Sequence, residues 1–446
     1  MMSLDHTQHY FKRGRTRQSA RGWGVFSIAL AIAFFSLAAS AETLEQAWEV
    51  VITANPRLDA ARRMSESAAE SLSAARGARL PKVTLESSYT VLDNEPAAKL
   101  SLPPVPVSQF PLAQDESLSY QAAIHLPLYT GGRLDRGIEA ARAGIQIQAA
   151  EESRVASNLK LEVADAYVSV LRARRGVEVA KRNVTGLASH AVDVQRRFSK
   201  GLVARNQLLA ARVALADARQ RASQVRNGLD LAQAAYNRLL GRELTAPVAL
   251  EEIEARAPAD SVEALTARAL AQRPELQALV GQGSALRHRS AAERAAAAPQ
   301  AQLSVGQRYQ ENRYQVHERS NFAMVSLSWN LFDGGAARHQ AAATAQRASA
   351  VDAELDELRS RIQLQVRQAW LDERETGQRI AVAHAALSQA EEGLRVARSR
   401  YREGLGTNTE VLDAETQRTL SYTNYYNAVH DAALAGLHLR HALGEL

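Results

Sequence analysis

Residues 133–198 read RLDRGIEAARAGIQIQAAEESRVASNLKLEVADAYVSVLRARRGVEVAKRNVTGLASHAVDVQRRF. Taken at spacings of three and four, the series runs Leu134, Ile138, Ala141, Ile145, Ala149, Glu152, Ala156, Leu159, Val163, Ala166. It continues Val170, Ala173, Val177, Ala180, Val184, Leu187, Ala191, Val194, Phe198. Eighteen of these nineteen positions are apolar, with Glu152 the exception. A seam sustained over that length specifies one uninterrupted helix with coiled-coil packing. Sixty-six residues at 1.5 Å each give a rod of roughly 100 Å. That is about three times the hydrocarbon thickness of a bilayer. The alanines of the seam let neighbouring helices approach closely.

The rod has a counterpart. Residues 336–401 keep fourteen of the nineteen seam positions apolar. Both rods follow a paired glycine, in Leu128-Tyr129-Thr130-Gly131-Gly132 and Leu331-Phe332-Asp333-Gly334-Gly335. Both end at a glycine turn, in Phe198-Ser199-Lys200-Gly201-Leu202 and Tyr401-Arg402-Glu403-Gly404-Leu405. Glycine just past a helix supplies its left-handed cap. The chain then returns in helices over about 206–240 and 409–443. From the paired glycines onward the offset is a constant 203 residues, through to Leu240-Gly241 and Leu443-Gly444. Upstream, Asn55-Pro56 and Arg273-Pro274 stand 218 apart, as do Leu80-Pro81 and Ala298-Pro299. The 15-residue difference falls between Tyr89 and Tyr120. The chain is therefore a tandem duplication, with repeats at 42–241 and 260–446 joined by a linker at 242–259 that contains Pro247 and Pro258.

Each repeat opens on helices, with a capping-box pattern at Thr43-Leu44-Glu45-Gln46 and prolines that break the helix at Pro56 and Pro274. The period then changes to two. Val83, Leu85, Ser87, Tyr89 and Val91 alternate with Lys82, Thr84, Glu86, Ser88 and Thr90. Similar alternation marks strands at about 82–92, 117–128, 301–310 and 321–331. Segments of about ten residues with one apolar and one mostly polar face suit membrane-barrel strands, and they also suit half-buried soluble hairpins. If they are membrane strands, four per chain cannot close, because single-chain barrels start at eight. An open sheet would leave unpaired backbone facing lipid, so the chain must oligomerise. The loop 92–116, with Pro96, Pro103, Pro104, Pro106 and Pro111, is expected to be extended and semi-rigid. It either covers the outer mouth of a barrel or lies exposed on the surface.

The N-terminus reads as a secretory signal, 1–41. Lys12, Arg13, Arg15, Arg17 and Arg21 precede the apolar run 25–39, and Ala39-Ser40-Ala41 is a small-residue cleavage site. The run is shorter than the roughly 20 residues of a spanning helix, and the alternative is an uncleaved anchor. The formal charge of +6 comes largely from this segment, since the remainder carries 49 basic and 47 acidic residues. With aromatics at 5%, neither charge nor stacking surface suggests nucleic acid as a partner. The absence of cysteine excludes disulfides, thiolate chemistry and a lipidated N-terminal cysteine. No Walker or serine-elbow motif occurs. Gly281-Gln282-Gly283 lies in a helical stretch without a preceding strand, which argues against a phosphate loop. His438 and His441 share a helix face, but no carboxylate cluster accompanies them.

The Asn-Pro and Arg-Pro openings, paired Gly-Gly turns, two Gly-Leu tips and the run Val411-Leu412-Asp413-Ala414 resemble the TolC family of outer-membrane efflux proteins across 42–446. The individual motifs are weak; their order, duplicated at fixed offset, is specific. The resemblance implies a mainly α chain whose long helices form a coiled-coil barrel. Its four strands would close in a homotrimer as a twelve-stranded transmembrane β-barrel. It implies an outer-membrane channel extending into the periplasm, with outer-membrane lipid around the barrel. Drugs, metals or other small molecules would leave passively. An inner-membrane pump of RND or ABC type supplies the energy through a periplasmic adaptor (membrane fusion) protein. No catalytic site or cofactor is expected. The competing readings are a type I protein secretion conduit and a periplasmic coiled-coil scaffold.

Candidate site residues gather at the glycine-turn end. Glu410 and Asp413 stand three apart and share a helix face. Around a narrow trimeric end they would form a ring of six carboxylates that concentrates cations. The plainer reading is that Thr407-Asn408-Thr409-Glu410 is a capping box. The resemblance favours the aperture, where family members carry acids at these positions. It also makes Tyr401 a tip-gating candidate. The arginine and aspartate that latch the family's best-known closed tip are replaced here by Gly406 and Gln207. Arg205 and Arg402 are nearby substitutes. Tyr401 alternatively just ends the seam. Gly201-Leu202 and Gly404-Leu405 are candidate adaptor-docking tips, or simple caps with buried leucines.

Overall fold

The computed structural model describes residues 41–100, 104, 108–254 and 260–446. The expected signal segment lies outside the described residues apart from Ala41, as do Pro103, Pro106 and Pro258. The first repeat comprises α1 (Leu44–Ala54), α2 (Pro56–Gly77), β1 (Lys82–Val91), β2 (Ala97–Leu100), β3 (Ser108–Pro111), β4 (Glu116–Tyr129), α3 (Arg133–Ser199) and α4 (Arg205–Leu239). The second comprises α5 (Val262–Gln272), α6 (Pro274–Ala295), β5 (Gln300–Gln310), β6 (Arg319–Ser328), α7 (Ala336–Glu403) and α8 (Asn408–Leu443).

Local chemistry sets the boundaries. Thr43 and Gln46 form a complete capping box, Thr43 Oγ1 accepting from Gln46 N–H at 3.3 Å and Gln46 Oε1 from Thr43 N–H at 3.0 Å. Pro56 takes the first position of α2, where its missing N–H costs nothing, and Asn55 caps it. The turn from β4 into α3 needs two left-handed residues, Gly131 (φ 61°) and Gly132 (φ 84°). A Cβ on Gly131 would also lie 2.4 Å from Ala298 Cβ, so the first repeat's turn presses directly on the second repeat.

Four of the strands form an antiparallel sheet in the order β1-β4-β5-β6. The two repeats pair through β4 and β5 at its centre, leaving β1 and β6 as edges. The register aligns Val83, Ile124, Val305 and Ala323 across one face. The next row, on the opposite face, aligns Lys82, His125, Ser304 and Met324. On that face His125 bridges Thr84 (3.1 Å) and Ser304 (2.9 Å). Val83, Leu85, Val325 and Leu327 on the apolar face are all exposed in the single chain. Strand β6 stops at Ser328 because its partner β5 begins at Gln300, and Trp329, Leu331 and Phe332 continue exposed.

The loop expected to be simply extended contains a hairpin, β2 pairing with β3 from Ala97↔Pro111 to Leu100↔Ser108. Pro111 is tolerated because it ends an edge strand, where no ladder hydrogen bond is lost. The hairpin is tied to the β5–β6 turn. Asn312 Nδ2 donates to Leu112 O at 2.8 Å, and Arg313 pairs with Glu95.

Helix α3 packs against α1, α2, α4, α6 and α8, and α7 packs against α5, α6 and α8. Three apolar clusters hold the helices. One joins Trp48 and Val51 of α1 to Val163, Tyr167 and Leu171 of α3 and Tyr236 of α4. A second joins Leu265 of α5 to Ile362 and Val366 of α7 and Leu439 of α8. The third, built from Val194, Leu208, Leu394, Tyr401 and Val411, lies beside the glycine turns. Gly281 admits α6 close to α3, since a Cβ there would meet Ile147 Cγ1 at 2.9 Å; its neighbourhood to Gly283 is helix packing.

Candidate functional site

The two glycine turns are built alike. Gly201 (φ 71°) and Gly404 (φ 82°) reverse the chain, and the following amides close back on the helix ends. Leu202 N–H donates to Arg197 O at 3.0 Å and Leu405 N–H to Arg400 O at 2.8 Å. The leucines are not buried: Leu202 is 66% and Leu405 69% exposed. Two protruding apolar side chains at one end of a helical rod are available for contact with another molecule.

Tyr401 points the other way. It is 4% exposed, with the Arg197 guanidinium 4.9 Å over its ring and the His190 ring 5.2 Å away edge-on. Its hydroxyl is buried without a partner among the described residues, and burial pushes its pKa up. Within one chain, then, Tyr401 is a core residue of the tip. Of the two alternatives for a latch, Arg402 contributes its backbone, its carbonyl accepting from Arg197, and its side chain is exposed. Arg205 is exposed at the start of α4. Gln207 lies beneath the tip, its carbonyl accepting from Asn408 Nδ2 at 3.5 Å.

Glu410 and Asp413 are both exposed on the first turns of α8. Thr407 caps Glu410 N–H at 3.2 Å, but the Glu410 carboxylate meets the Thr407 hydroxyl (3.2 Å) instead of the Thr407 amide. The capping box is therefore half formed, and the carboxylate is held outward near Arg400 (4.0 Å). Asp413 makes no ion pair among the described residues. The equivalent positions of the first repeat are Gln207 and Ala210, so only the second turn carries acids here.

A polar layer beneath the tip escaped the sequence reading. Glu415, 1% exposed, is held between Arg398 and Arg418, the latter at 2.8 Å. A Cβ on Gly186 would come within 2.9 Å of that carboxylate, so the glycine makes room for it. His190 Nε2 donates to Asn408 Oδ1 at 2.7 Å, tying α3 to α8, and burial holds the His190 pKa down. The sequence signal is faint, because Glu415 continues a buried face that already carries Asn408 and Ser421 beside Val411. The histidine pair is dispersed: His438 meets Asp165 at 3.2 Å and His441 meets Asn158 at 2.9 Å. Among the described residues no three His, Asp or Glu side chains converge as metal ligands.

A family model described as outer membrane efflux protein matches residues 49–242 and 265–445, one segment in each repeat. No curated protein matches the chain. Among solved structures, the outer-membrane channel OprN superposes with a TM-score of 0.76 at 20% identity, covering 90% of each chain. The outer membrane protein VceC of Vibrio cholerae gives 0.76 at 18% identity, covering 90% of this chain and 96% of its own. The MtrE outer membrane channel of Neisseria gonorrhoeae, in its open state, gives 0.72 at 18%, covering 90% and 88%. At such identities the superpositions establish a shared fold. The family model spans most of both repeats, and by it the chain belongs to the outer membrane efflux protein family, the TolC-like outer-membrane factors.

Proposed function

We propose that three copies of this chain assemble into an outer-membrane channel whose helices continue into the periplasm. The observation that carries the reading is the four-stranded sheet. It has two unpaired edges, β1 and β6, one exposed apolar face and one polar face. Each unpaired backbone group in hydrocarbon costs several kcal/mol, so closure on sister copies removes a large penalty. Twelve strands is the family's number, and the apolar face would then meet lipid while the polar face lines water. Export to that membrane would use the signal at 1–41.

Substrates (drugs, metals or other small molecules) would pass down this conduit without chemistry. An inner-membrane pump of RND or ABC type would supply the energy through a periplasmic adaptor. Leu202 and Leu405 at the glycine turns would be the adaptor's contacts. Glu410 and Asp413, six carboxylates in the trimer, would favour cations at the periplasmic aperture.

The test is extraction of the mature protein from membranes. The expected product needs detergent, runs as a trimer until heated, and conducts across planar bilayers. A stable monomer soluble without detergent would reject the reading. Mass spectrometry of the crosslinked native complex would then identify the adaptor and separate drug or metal efflux from type I protein secretion.

A further inference from the structure

The seam of α7 departs from that of α3 at Thr344, Asp352, Arg359, Glu373 and Thr376. Asp352 and Arg359 are exposed, and Asp352 pairs with Arg287 at 2.5 Å. Glu373 is different. It is 8% exposed, and its Oε2 atom has no hydrogen-bond partner among the described residues. Its equivalent in the first repeat is Val170, also buried, so the helix packing itself does not call for a carboxylate. Space is made for it by Gly436 on α8, where a Cβ would stand 3.3 Å from Glu373 Oε1. A buried, unpaired carboxylate is costly unless something completes it.

Glu373 lines a cavity of about 660 Å³ bounded by the start of α1, by α5, by the 251–254 segment and by the C-terminal part of α8. The floor is apolar, with Leu44, Leu265, Leu437 and Leu443. The rim is acidic. Among the described residues, seven carboxylates line the cavity against two arginines, Arg268 and Arg440. Arg268 is already engaged by Asp260 and Glu445, and Arg440 lies over Trp48. Glu45, Glu251 and Glu254 make no ion pair among the described residues. The volume is that of small-molecule sites.

We infer that this cavity binds an organic cation, whose N–H group donates to the Glu373 carboxylate while its apolar body rests on the leucine floor. Among the described residues no three acids or histidines converge as a metal-ligand set. Rim acids attract the cation, and the buried carboxylate supplies the directional contact. Desolvation raises the Glu373 pKa, and a bound ammonium would reverse that trend. The inference does not depend on trimer formation or on conductance.

The probe is tryptamine, a primary ammonium on an indole body, measured by equilibrium dialysis against the full detergent-solubilised chain at pH 7. Tryptophol, its neutral hydroxyl analogue, is the comparison. Saturable binding of one tryptamine per chain is expected, at least tenfold tighter than tryptophol. Glu373→Gln, close in shape, should remove that preference, and Glu373→Val, which copies the first repeat, should do the same while keeping the native oligomer and melting temperature. Glu254→Gln on the rim should weaken binding only two- to threefold. Equal binding of the two probes by the unaltered chain would overturn the inference. So would a Glu373→Gln protein that binds tryptamine normally, a loss that follows Glu254 instead of Glu373, or no saturable binding at all.

Discussion

Helices α3 and α7 are copies of one rod, 67 and 68 residues long, and the fold treats them differently. Helix α3 is enclosed by five other helices and buries seventeen residues, which at Ala164, Tyr167, Val168 and Leu171 spread over more than one face. Helix α7 buries twelve, in a single stripe spaced by threes and fours. Its outer side leaves Leu364, Leu371 and Val382 exposed. Duplication therefore set the length and the inner seam of both helices, while position in the fold decided how many further faces are covered. One rod is the spine of the chain, and the other has a side left over for neighbours.

The largest expected effect tests the spine. Leu171 is fully buried, so Leu171→Ala should cost about 3 kcal/mol through lost burial and the cavity left behind. Its apparent melting temperature in detergent should fall clearly, whereas Leu364→Ala should shift the folding of the isolated chain by less than about 0.5 kcal/mol. Equal effects would erase the distinction between the rods. Leu364→Asp asks the complementary question. In the proposed trimer it should strip away most of the heat-sensitive oligomer while helix content by circular dichroism is retained.

The polar layer gives an intermediate effect. Glu415→Gln removes the charge that two arginines share and should destabilise by roughly 2 kcal/mol, below the usual range for a buried pair because Arg398 is partly solvated. Chemical denaturation of the two proteins side by side would measure it. Acidification should act on the same layer. Burial lowers the pKa of His190, as it does for His430 and His441. A base whose folded pKa is depressed takes up its proton more readily when unfolded. Stability should therefore be greatest above the ordinary histidine value of about 6.5 and decline as the pH drops through and below it. A melting curve at pH 5.5 should lie below that at pH 7.5, and His190→Gln should narrow the gap.

The smallest effect concerns the tips. Alanine at both Glu410 and Asp413 should reduce cation preference in single-channel recordings without changing assembly. Replacing Gln207 and Ala210, their first-repeat equivalents, with Glu and Asp should raise it. Unaltered selectivity in both directions would remove the carboxylates from the aperture.

The fold was legible where the signal was periodic or duplicated. The seam, the four alternating strands and the glycine turns each recur at a fixed offset, so a second copy confirms the first. What the sequence hid were contacts between distant segments. Tyr401 closes a seam on paper, but its burial depends on Arg197 and His190, more than two hundred positions upstream. Leu202 and Leu405 look like cap leucines to be buried, and stand exposed because nothing among the described residues covers them. The hairpin β2–β3 has only four residues per strand and prolines around it, too little for alternation to register. Glu373 was visible as an acid on an apolar seam, and Glu415 only as an acid one turn from Val411. Whether such a residue meets solvent, an arginine or a cavity depends on the neighbouring helix, which no local pattern encodes.

The pairing of β4 with β5 puts the junction of the duplication inside the wall itself. A unit of half this length would need six copies to build the wall proposed for three, and each would present an identical end. Joining two units in one polypeptide frees alternate ends to diverge, amide and methyl on one, paired acids on the next. The proposed pore thus gains an alternating rhythm of charge around its rim that six equal subunits could never have.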